Sequence, residues 1–453
     1  MNRLAVTFIM SCAALAASGQ SPNNPLASDN AVATQSWTLK QCIDHAIEHN
    51  IAVKQRENTV LQQEMQVTNA KSQRLPDLSA SVGQNFSFGR GLTSQNTYTN
   101  TNTSSTSFSL GTSVPLFTGF RIPNSIALSK LNLQAATAEL EKAKNDISVQ
   151  VAQAYVQILY DMELSDVAHR QIAIDSAQVQ RLQSLLRVGR ASEADLSQQK
   201  ASLAQSQLTA TQADNNLQLA VLALSQLLEL SSPEGFSVVR PGLQEEFAVA
   251  EIPHPDVIFA EALALRPEIR ADQLRLKASE KSIDLARAGY MPQLSFSAGL
   301  GSNYYTTSGF KADAFGTQMK NNFSQYLGFN LSIPVFDRFS TRSSIRSAKI
   351  DRNNQLLALD NTRKSLFKEI QQTYYNTVGA QQKLKSSAQA RQSAADAFQV
   401  VTAKYEQGRA TSTEFNESKN NFLRAESDLT QARYEYLYQQ ALIRFYRGQS
   451  LSF

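Results

Sequence analysis

Four stretches of the chain alternate apolar with small polar residues. Leu78, Ala80, Val82, Phe86 and Phe88 alternate with Ser79, Ser81, Gly83, Asn85, Ser87 and Gly89. Phe108, Leu110, Thr112, Val114 and Leu116 alternate with Ser107, Ser109, Gly111 and Ser113. Leu294, Phe296, Ala298 and Leu300 alternate with Ser295, Ser297, Gly299 and Gly301. Phe323, Leu327, Phe329, Leu331, Ile333 and Val335 fall between Ser324, Tyr326, Gly328, Asn330 and Ser332. A period of two predicts strands with one apolar face. Each run has about the 9–11 residues that a tilted membrane strand requires. Polar loops, Arg90 to Thr103 and Asn303 to Asn322, join the runs in pairs.

Between the strand pairs the pattern is helical. Helices are predicted from Thr38 to Arg74 and from Asp256 to Gly289. Much longer ones run from about Arg121 to Val188 and from Ser340 to Gln407. At 1.5 Å per residue each long helix spans roughly 100 Å. Past Val188 and Gln407, Leu196, Leu203, Ala210, Leu217 and Leu224 recur every seventh residue. Phe415, Phe422, Leu429, Tyr436 and Ile443 do the same. Such a seam predicts supercoiled packing against neighbouring helices.

The chain is duplicated. Ser113-Val114-Pro115-Leu116-Phe117 returns as Ser332-Ile333-Pro334-Val335-Phe336, and Gly189-Arg190-Ala191-Ser192 as Gly408-Arg409-Ala410-Thr411. Leu75-Pro76-Asp77-Leu78-Ser79 matches Met291-Pro292-Gln293-Leu294-Ser295. The predicted division is a signal peptide at 1–19, a flexible N-terminal segment at 20–36 and a first repeat at 37–230. That repeat has strands at about 77–89 and 104–116 and a helix turn at 189. A linker follows at 231–253. The second repeat, 254–447, has strands at about 292–303 and 323–336 and a turn at 408. A tail occupies 448–453.

The N-terminus reads as an export signal. Met1-Asn2-Arg3 is a positive start, and Leu4 to Ala17 is apolar but too short to span a bilayer. Cleavage near Ala14-Leu15-Ala16 fits. Ile9-Met10-Ser11-Cys12 loosely resembles a lipoprotein box, with Met10 atypical. Behind an export signal, four matched alternating runs read as lipid-facing strands rather than soluble hairpins. Four strands cannot close a barrel, and lipid tolerates no open sheet edge. Two chains would give about eight strands and a plugged interior; three would give about twelve and leave room for a pore. Both strand pairs lie at one end of the long axis and both Gly turns at the other. The strands therefore anchor a helical tube that projects into a second compartment.

Composition narrows the function classes. The 453 residues carry a formal charge of +4 with no basic block, so nothing points to nucleic acid. Four histidines and two cysteines build neither a disulfide framework nor a zinc cluster. His45 and His49 stand four apart beside Asp44 and Glu48, a metal-compatible spacing without a third ligand; a solvated helix face explains it. There is no phosphate loop, nucleophile elbow or believable triad, so no enzyme, cofactor or metal is predicted.

The arrangement resembles the TolC-like outer membrane efflux protein family over about Trp37 to Arg447. The carriers are the two strand-end runs, the Gly189 and Gly408 turns, and Leu265-Arg266-Pro267-Glu268-Ile269. The resemblance implies an α+β membrane protein in which a duplicated unit of coiled-coil helices and a β-hairpin trimerises. The homotrimer would form a 12-stranded outer-membrane barrel continuous with a periplasmic α-helical barrel. It implies passive export of substrate delivered by an inner-membrane transporter, of RND, ABC or MFS type, and a periplasmic adaptor. It places the protein in the outer membrane lipid of a Gram-negative cell.

The resemblance also assigns residues. Acidic positions six and nine after the second Gly, Glu414 and Glu417, would line the periplasmic entrance and select cations. Thr411-x-x-Glu414 is equally a capping box, as is Ser192-x-x-Asp195. Asp195 and Tyr405 match latch positions that hold the entrance closed, while packing alone would also explain Tyr405. The family's Arg two after the second Gly is Ala410 here, with Arg409 one position early. The tips Val188-Gly189-Arg190 and Gln407-Gly408-Arg409 would touch the adaptor. A competing reading is a non-transporting periplasmic coiled-coil scaffold or adaptor, which should carry a compact β-rich domain and no paired amphipathic strands.

Overall fold

The computed structural model describes residues 36–92, 96–240 and 251–452. The predicted leader, with Cys12, and nearly all of the segment 20–36 lie outside the described residues. The first repeat runs β1 (Ser36–Trp37), α1 (Leu39–His49), α2 (Ile51–Ser72), β2 (Asp77–Leu92), β3 (Tyr98–Phe117), α3 (Arg121–Arg187) and α4 (Glu193–Leu227). After β4 (Ser237–Val238) the second repeats it as α5 (Pro255–Leu265), α6 (Pro267–Arg287), β5 (Gln293–Thr307), α7 (Phe315–Asn321), β6 (Ser324–Ser332), α8 (Ser340–Glu406) and α9 (Ser412–Tyr446). The long helices α3 and α8 have 67 residues each, and their partners α4 and α9 have 35 each. Among the described residues no helix is long and apolar enough to cross a membrane.

The first helix of each repeat is broken where an unbroken one was predicted. Asn50 is extended (φ −60°, ψ 131°) between α1 and α2, and Arg266 is extended (φ −77°, ψ 123°) between α5 and α6. The causes are local. Asn50 Oδ1 caps α2 by accepting from Ala52 N at 2.9 Å. Pro267 forbids the helical conformation to the residue before it and opens α6 as its first residue. Both breaks serve the same purpose: Asn50 Nδ2 donates to Leu227 O at 3.1 Å, and Arg266 Nη2 to Phe445 O at 3.0 Å. Each bonds a carbonyl in the last turn of its repeat's final helix; Phe445 O also accepts from Gly448 N at 3.0 Å.

Strand passes to helix by one turn used twice. Gly119 and Phe120 are left-handed (φ 60° and 66°), as are Arg338 and Phe339 (φ 55° and 64°). Thr118 Oγ1 accepts from Ile122 N, and Asp337 Oδ2 from Thr341 N. Phe117 meets Phe120 edge-on at 5.4 Å, and Phe336 meets Phe339 at 5.5 Å. Pro115 stays within β3 next to an irregularity in register, whereas β6 ends before Pro334.

The four long strands form one antiparallel sheet in the order β2-β3-β5-β6. Register puts Leu78, Leu110, Leu300 and Leu327 on one face, and Ser79, Gly111, Gly299 and Asn330 on the other. The apolar face is bare: Leu78, Val82, Phe88, Leu327 and Phe329 are each 69–79 % exposed. The outer edges of β2 and β6 carry no partner strand among the described residues. The short helix α7 sits within the segment predicted to be loop. It covers the stretch of β5 that extends past β6. There Gln318 accepts from Tyr305 N and donates to Tyr305 O, both at 3.0 Å, as a paired strand would.

At the middle of the long axis, buried residues of α1, α3, α4 and α9 form the larger core, with Cys42, Val151, Ala152 and Leu224 fully enclosed. The strand pair β1–β4 joins it through Phe236 and Val238. A second core unites α5, α6, α8 and α9 around Ile258 and Ile370. No residue of either seven-residue seam is exposed; Ala210, Leu224, Phe415, Leu429, Tyr436 and Ile443 are buried.

Candidate functional site: the paired helix turns and the polar sheet face

The two helix turns are built alike. Gly189 and Gly408 both have φ 71°, a conformation that a side chain would strain. Arg190 N returns to Leu185 O and Gly189 N to Leu186 O. Arg409 N returns to Lys404 O and Gly408 N to Tyr405 O. These paired bonds end α3 and α8 in the same Schellman motif. Val188, Gly189, Arg190, Gln407, Gly408 and Arg409 are all exposed, so the tips are free for contact within this chain.

The second helix of each hairpin starts on a cap. Ser192 Oγ accepts from Asp195 N at 3.0 Å and donates to Asp195 Oδ2 at 2.7 Å. Thr411 and Glu414 form the full reciprocal box, with Thr411 N donating to Glu414 Oε2 at 2.7 Å and Glu414 N to Thr411 Oγ1 at 3.2 Å. The bonds from Thr411 hold the Glu414 carboxyl below its usual range. Both Glu414 and Glu417 are exposed.

Asp195 also reaches across the repeats: Ser412 Oγ donates to its Oδ1 at 3.2 Å, tying the start of α4 to the start of α9. These bonds, Ser192's foremost, lower the Asp195 pKa. Tyr405 packs instead of pairing with Asp195. Its ring stacks on Phe415 at 4.8 Å, and the Arg181 guanidinium lies 5.7 Å above it. Burial pushes the Tyr405 phenol up, a rise that Arg181 opposes and the Asp195 charge reinforces. Arg181 also donates to Glu406 O at 3.2 Å, so it bridges the turn ends of α3 and α8.

A polar centre that the sequence did not reveal lies two to three helical turns deeper. Asp175 on α3 and Lys419 on α9 are fully buried, with Lys419 Nζ 2.6 Å from Asp175 Oδ1. Gln171 Nε2 and Gln199 Nε2 donate to the same carboxylate at 2.8 and 3.1 Å, and Lys419 donates to Ser202 Oγ at 3.2 Å. The three helices α3, α4 and α9 are therefore pinned at one level. Beside it, between the same helices, lies a groove of about 730 Å³ lined by Gln205, Ser206, Asn416 and Leu423 among others.

His45 and His49 stack at 4.0 Å with Trp37 against His45. Among the described residues no group of three or more acidic, His or Cys side chains could hold a metal.

A family model described as outer membrane efflux protein matches residues 42–229 and 258–449. Among curated proteins, the chain is 22 % identical over 387 residues to outer membrane protein TolC of Escherichia coli. That match covers 83 % of this chain and 75 % of TolC. It is 25 % identical over 289 residues to fusaric acid resistance protein FusA of Burkholderia cepacia, covering 62 % of this chain and about half (52 %) of FusA. Among solved structures, the CmeC outer membrane channel of Campylobacter jejuni superposes with a TM-score of 0.76 at 18 % identity, over 92 % of this chain and 87 % of CmeC.

Proposed function

The chain belongs to the outer membrane efflux protein family, and on that premise we propose that it is the outer-membrane channel subunit of a tripartite efflux system. It is a passive conduit for substrates handed over by an inner-membrane transporter, of RND, ABC or MFS type, through a periplasmic adaptor. The observation that carries this reading is the sheet. One face is apolar and exposed, the other is small and polar, and both edges await partners. In lipid such a sheet is viable only as part of a closed barrel. Three copies closing β6 of one against β2 of the next would give a twelve-stranded wall. Its greasy face would lie outward and its Ser/Gly face toward water. The long helices continue from that wall through rigid phenylalanine-braced turns, so three copies extend the conduit into the periplasm.

In this reading the paired turns form the periplasmic entrance. Glu414 and Glu417, each present three times, ring it with carboxylates and favour cations. The Asp195–Ser412 bond and the Arg181 guanidinium over the Tyr405 ring hold the two hairpins together as a latch. The exposed tips at 188–190 and 407–409 receive the adaptor.

Fractionation tests the reading. The protein is expected in the outer membrane, released only by detergent, with a mass of three copies, and its deletion should make exported compounds accumulate in the cell. Recovery as a soluble periplasmic monomer would overturn it.

A further inference from the structure

Two bulky side chains interrupt the small-residue face of the sheet, Tyr305 on the stretch of β5 that extends past β6 and Tyr326 where all four strands are paired. Register aligns Ser79, Gly111, Gly299 and Tyr326 in a single row from β2 to β6. The Tyr326 ring lies along that row. A Cβ at Gly299 would stand 2.6 Å from Tyr326 Cε1 and 3.0 Å from its hydroxyl oxygen, and one at Gly111 would be 4.0 Å from that oxygen. No side chain other than hydrogen fits beneath the ring at 299. The ring's other face is open, and Tyr326 is 59 % exposed. Its neighbours on the same face of β6 are Ser324, Gly328 and Asn330, all smaller.

We propose that Tyr326 sets the width of the strand-lined lumen, with Gly299 and Gly111 as the seat that keeps its ring flat against the wall. This rests on the reading above that the small-residue face encloses water. In a three-copy barrel the three Tyr326 side chains stand at one level. A change at this position is therefore felt three times around the ring. With the ring seated, the bore there approaches that of the neighbouring Ser/Gly levels. Unseated, the phenol swings inward and narrows it. Pore diameter is one of the means by which such a lumen grades what passes.

The test reads passage past this level from outside the cell, so the state of the periplasmic entrance does not affect it. Ser295 shares the face with Gly299 and lies four residues nearer the helices. In intact cells carrying Ser295→Cys, membrane-impermeant thiol reagents of increasing diameter are added and the largest that labels is recorded. The native Cys42 is buried and does not interfere. The smallest reagent is expected to label Ser295→Cys; if it does not, the lumen reading itself fails. Given labelling, Tyr326→Ala should admit larger reagents than the parent and Tyr326→Phe should match the parent. Gly299→Val should lose labelling by reagents the parent admits, and Gly299→Val with Tyr326→Ala should regain it. The same size limit in Tyr326→Ala as in the parent overturns the proposal even if Gly299→Val fails to assemble.

Discussion

Lys419 and Asp175 meet at 2.6 Å with both side chains closed to solvent, although 244 residues separate them in the chain. The contact fastens the second repeat's last helix to the first repeat's longest one near the turn end. Removing one partner leaves a buried charge without its counter-ion. Lys419→Met is expected to cost about 3–5 kcal/mol, whereas Asp175→Leu with Lys419→Met should recover most of it. Thermal melting of the detergent-solubilised protein checks this. A single variant that melts like the parent would remove the pair from the stability of the tube.

Arg266 makes the corresponding fastening at the middle of the chain. Its guanidinium lies 4.2 Å from the Phe445 ring and 4.6 Å from that of Tyr446, and it donates to Phe445 O. Cation–π contact and a charge-assisted bond together suggest a loss of about 2 kcal/mol in Arg266→Met. Lysine lacks the planar fork and should not restore it. Asn50→Ala, the equivalent change in the first repeat, loses a cap and a neutral bond and should cost about 1 kcal/mol. Equal melting shifts for all three would contradict this ordering.

How much of this was legible depends on whether the cause was local. The long helices α3 and α8 begin and end within a residue of the limits their pattern predicts, because no breaker intervenes and Gly189 and Gly408 stop them. Alternation placed the apolar and polar sheet faces correctly, since period two admits only one assignment. The breaks at Asn50 and Arg266 were readable in principle from an Asn cap and from the proline at 267, but a continuous helical pattern masked them. The seven residues of α7 are too few to show a period among Thr, Asn and Gly. The Asp175–Lys419 pair had no local sign at all. At the turns, the capping of Glu414 and Asp195 was visible in the Thr411 and Ser192 spacing. The bond from Ser412 to Asp195 required both repeats to be folded together.

Glu414, as a proposed entrance carboxylate, gives a pH prediction. The Thr411 bonds depress the Glu414 pKa below its ordinary 4.5. A depressed carboxyl stabilises the folded state above its unfolded pKa and loses that contribution as pH falls through the lower folded value. The α9 cap and the charge on Glu414 should therefore persist through mildly acidic conditions and fail only below about pH 4.5. In planar bilayers under a salt gradient, the part of the cation preference that rests on Glu414 should follow the same course. Glu414→Gln with Glu417→Gln should weaken it at neutral pH. An unchanged reversal potential in the double variant would exclude both from selectivity.

The proposed latch separates bonding from packing. Asp195→Ala removes the bridge to Ser412, while Tyr405→Phe keeps the ring on Phe415 and loses only the hydroxyl. Asp195→Ala together with Tyr405→Phe should raise single-channel conductance. Because no bond joins Tyr405 to Asp195 within one chain, most of that rise should already be present in Asp195→Ala. If Tyr405→Phe alone opens the channel, its hydroxyl bonds to a neighbouring copy rather than serving only as packing.

The sharpest discrimination comes from two adjacent residues. Val82 and Ser81 follow one another on β2 and face opposite ways: Val82 pairs with Phe108 on the apolar side and Ser81 with Ser109 on the polar side. If the apolar side meets lipid, Val82→Arg places a cation in hydrocarbon at about 2–4 kcal/mol per copy near the bilayer midplane. Three copies multiply the penalty, so outer-membrane assembly should be lost. Ser81→Arg puts the same charge toward water, where it is hydrated and tolerated. That variant should assemble normally and shift ion preference toward anions. A protein whose sheet simply folded back on its own helices would reverse or erase the difference, since Val82 would then be enclosed by protein and Ser81 would face bulk solvent with no pore to influence. Membrane flotation of the two variants, followed by reversal-potential recordings on Ser81→Arg, separates these cases.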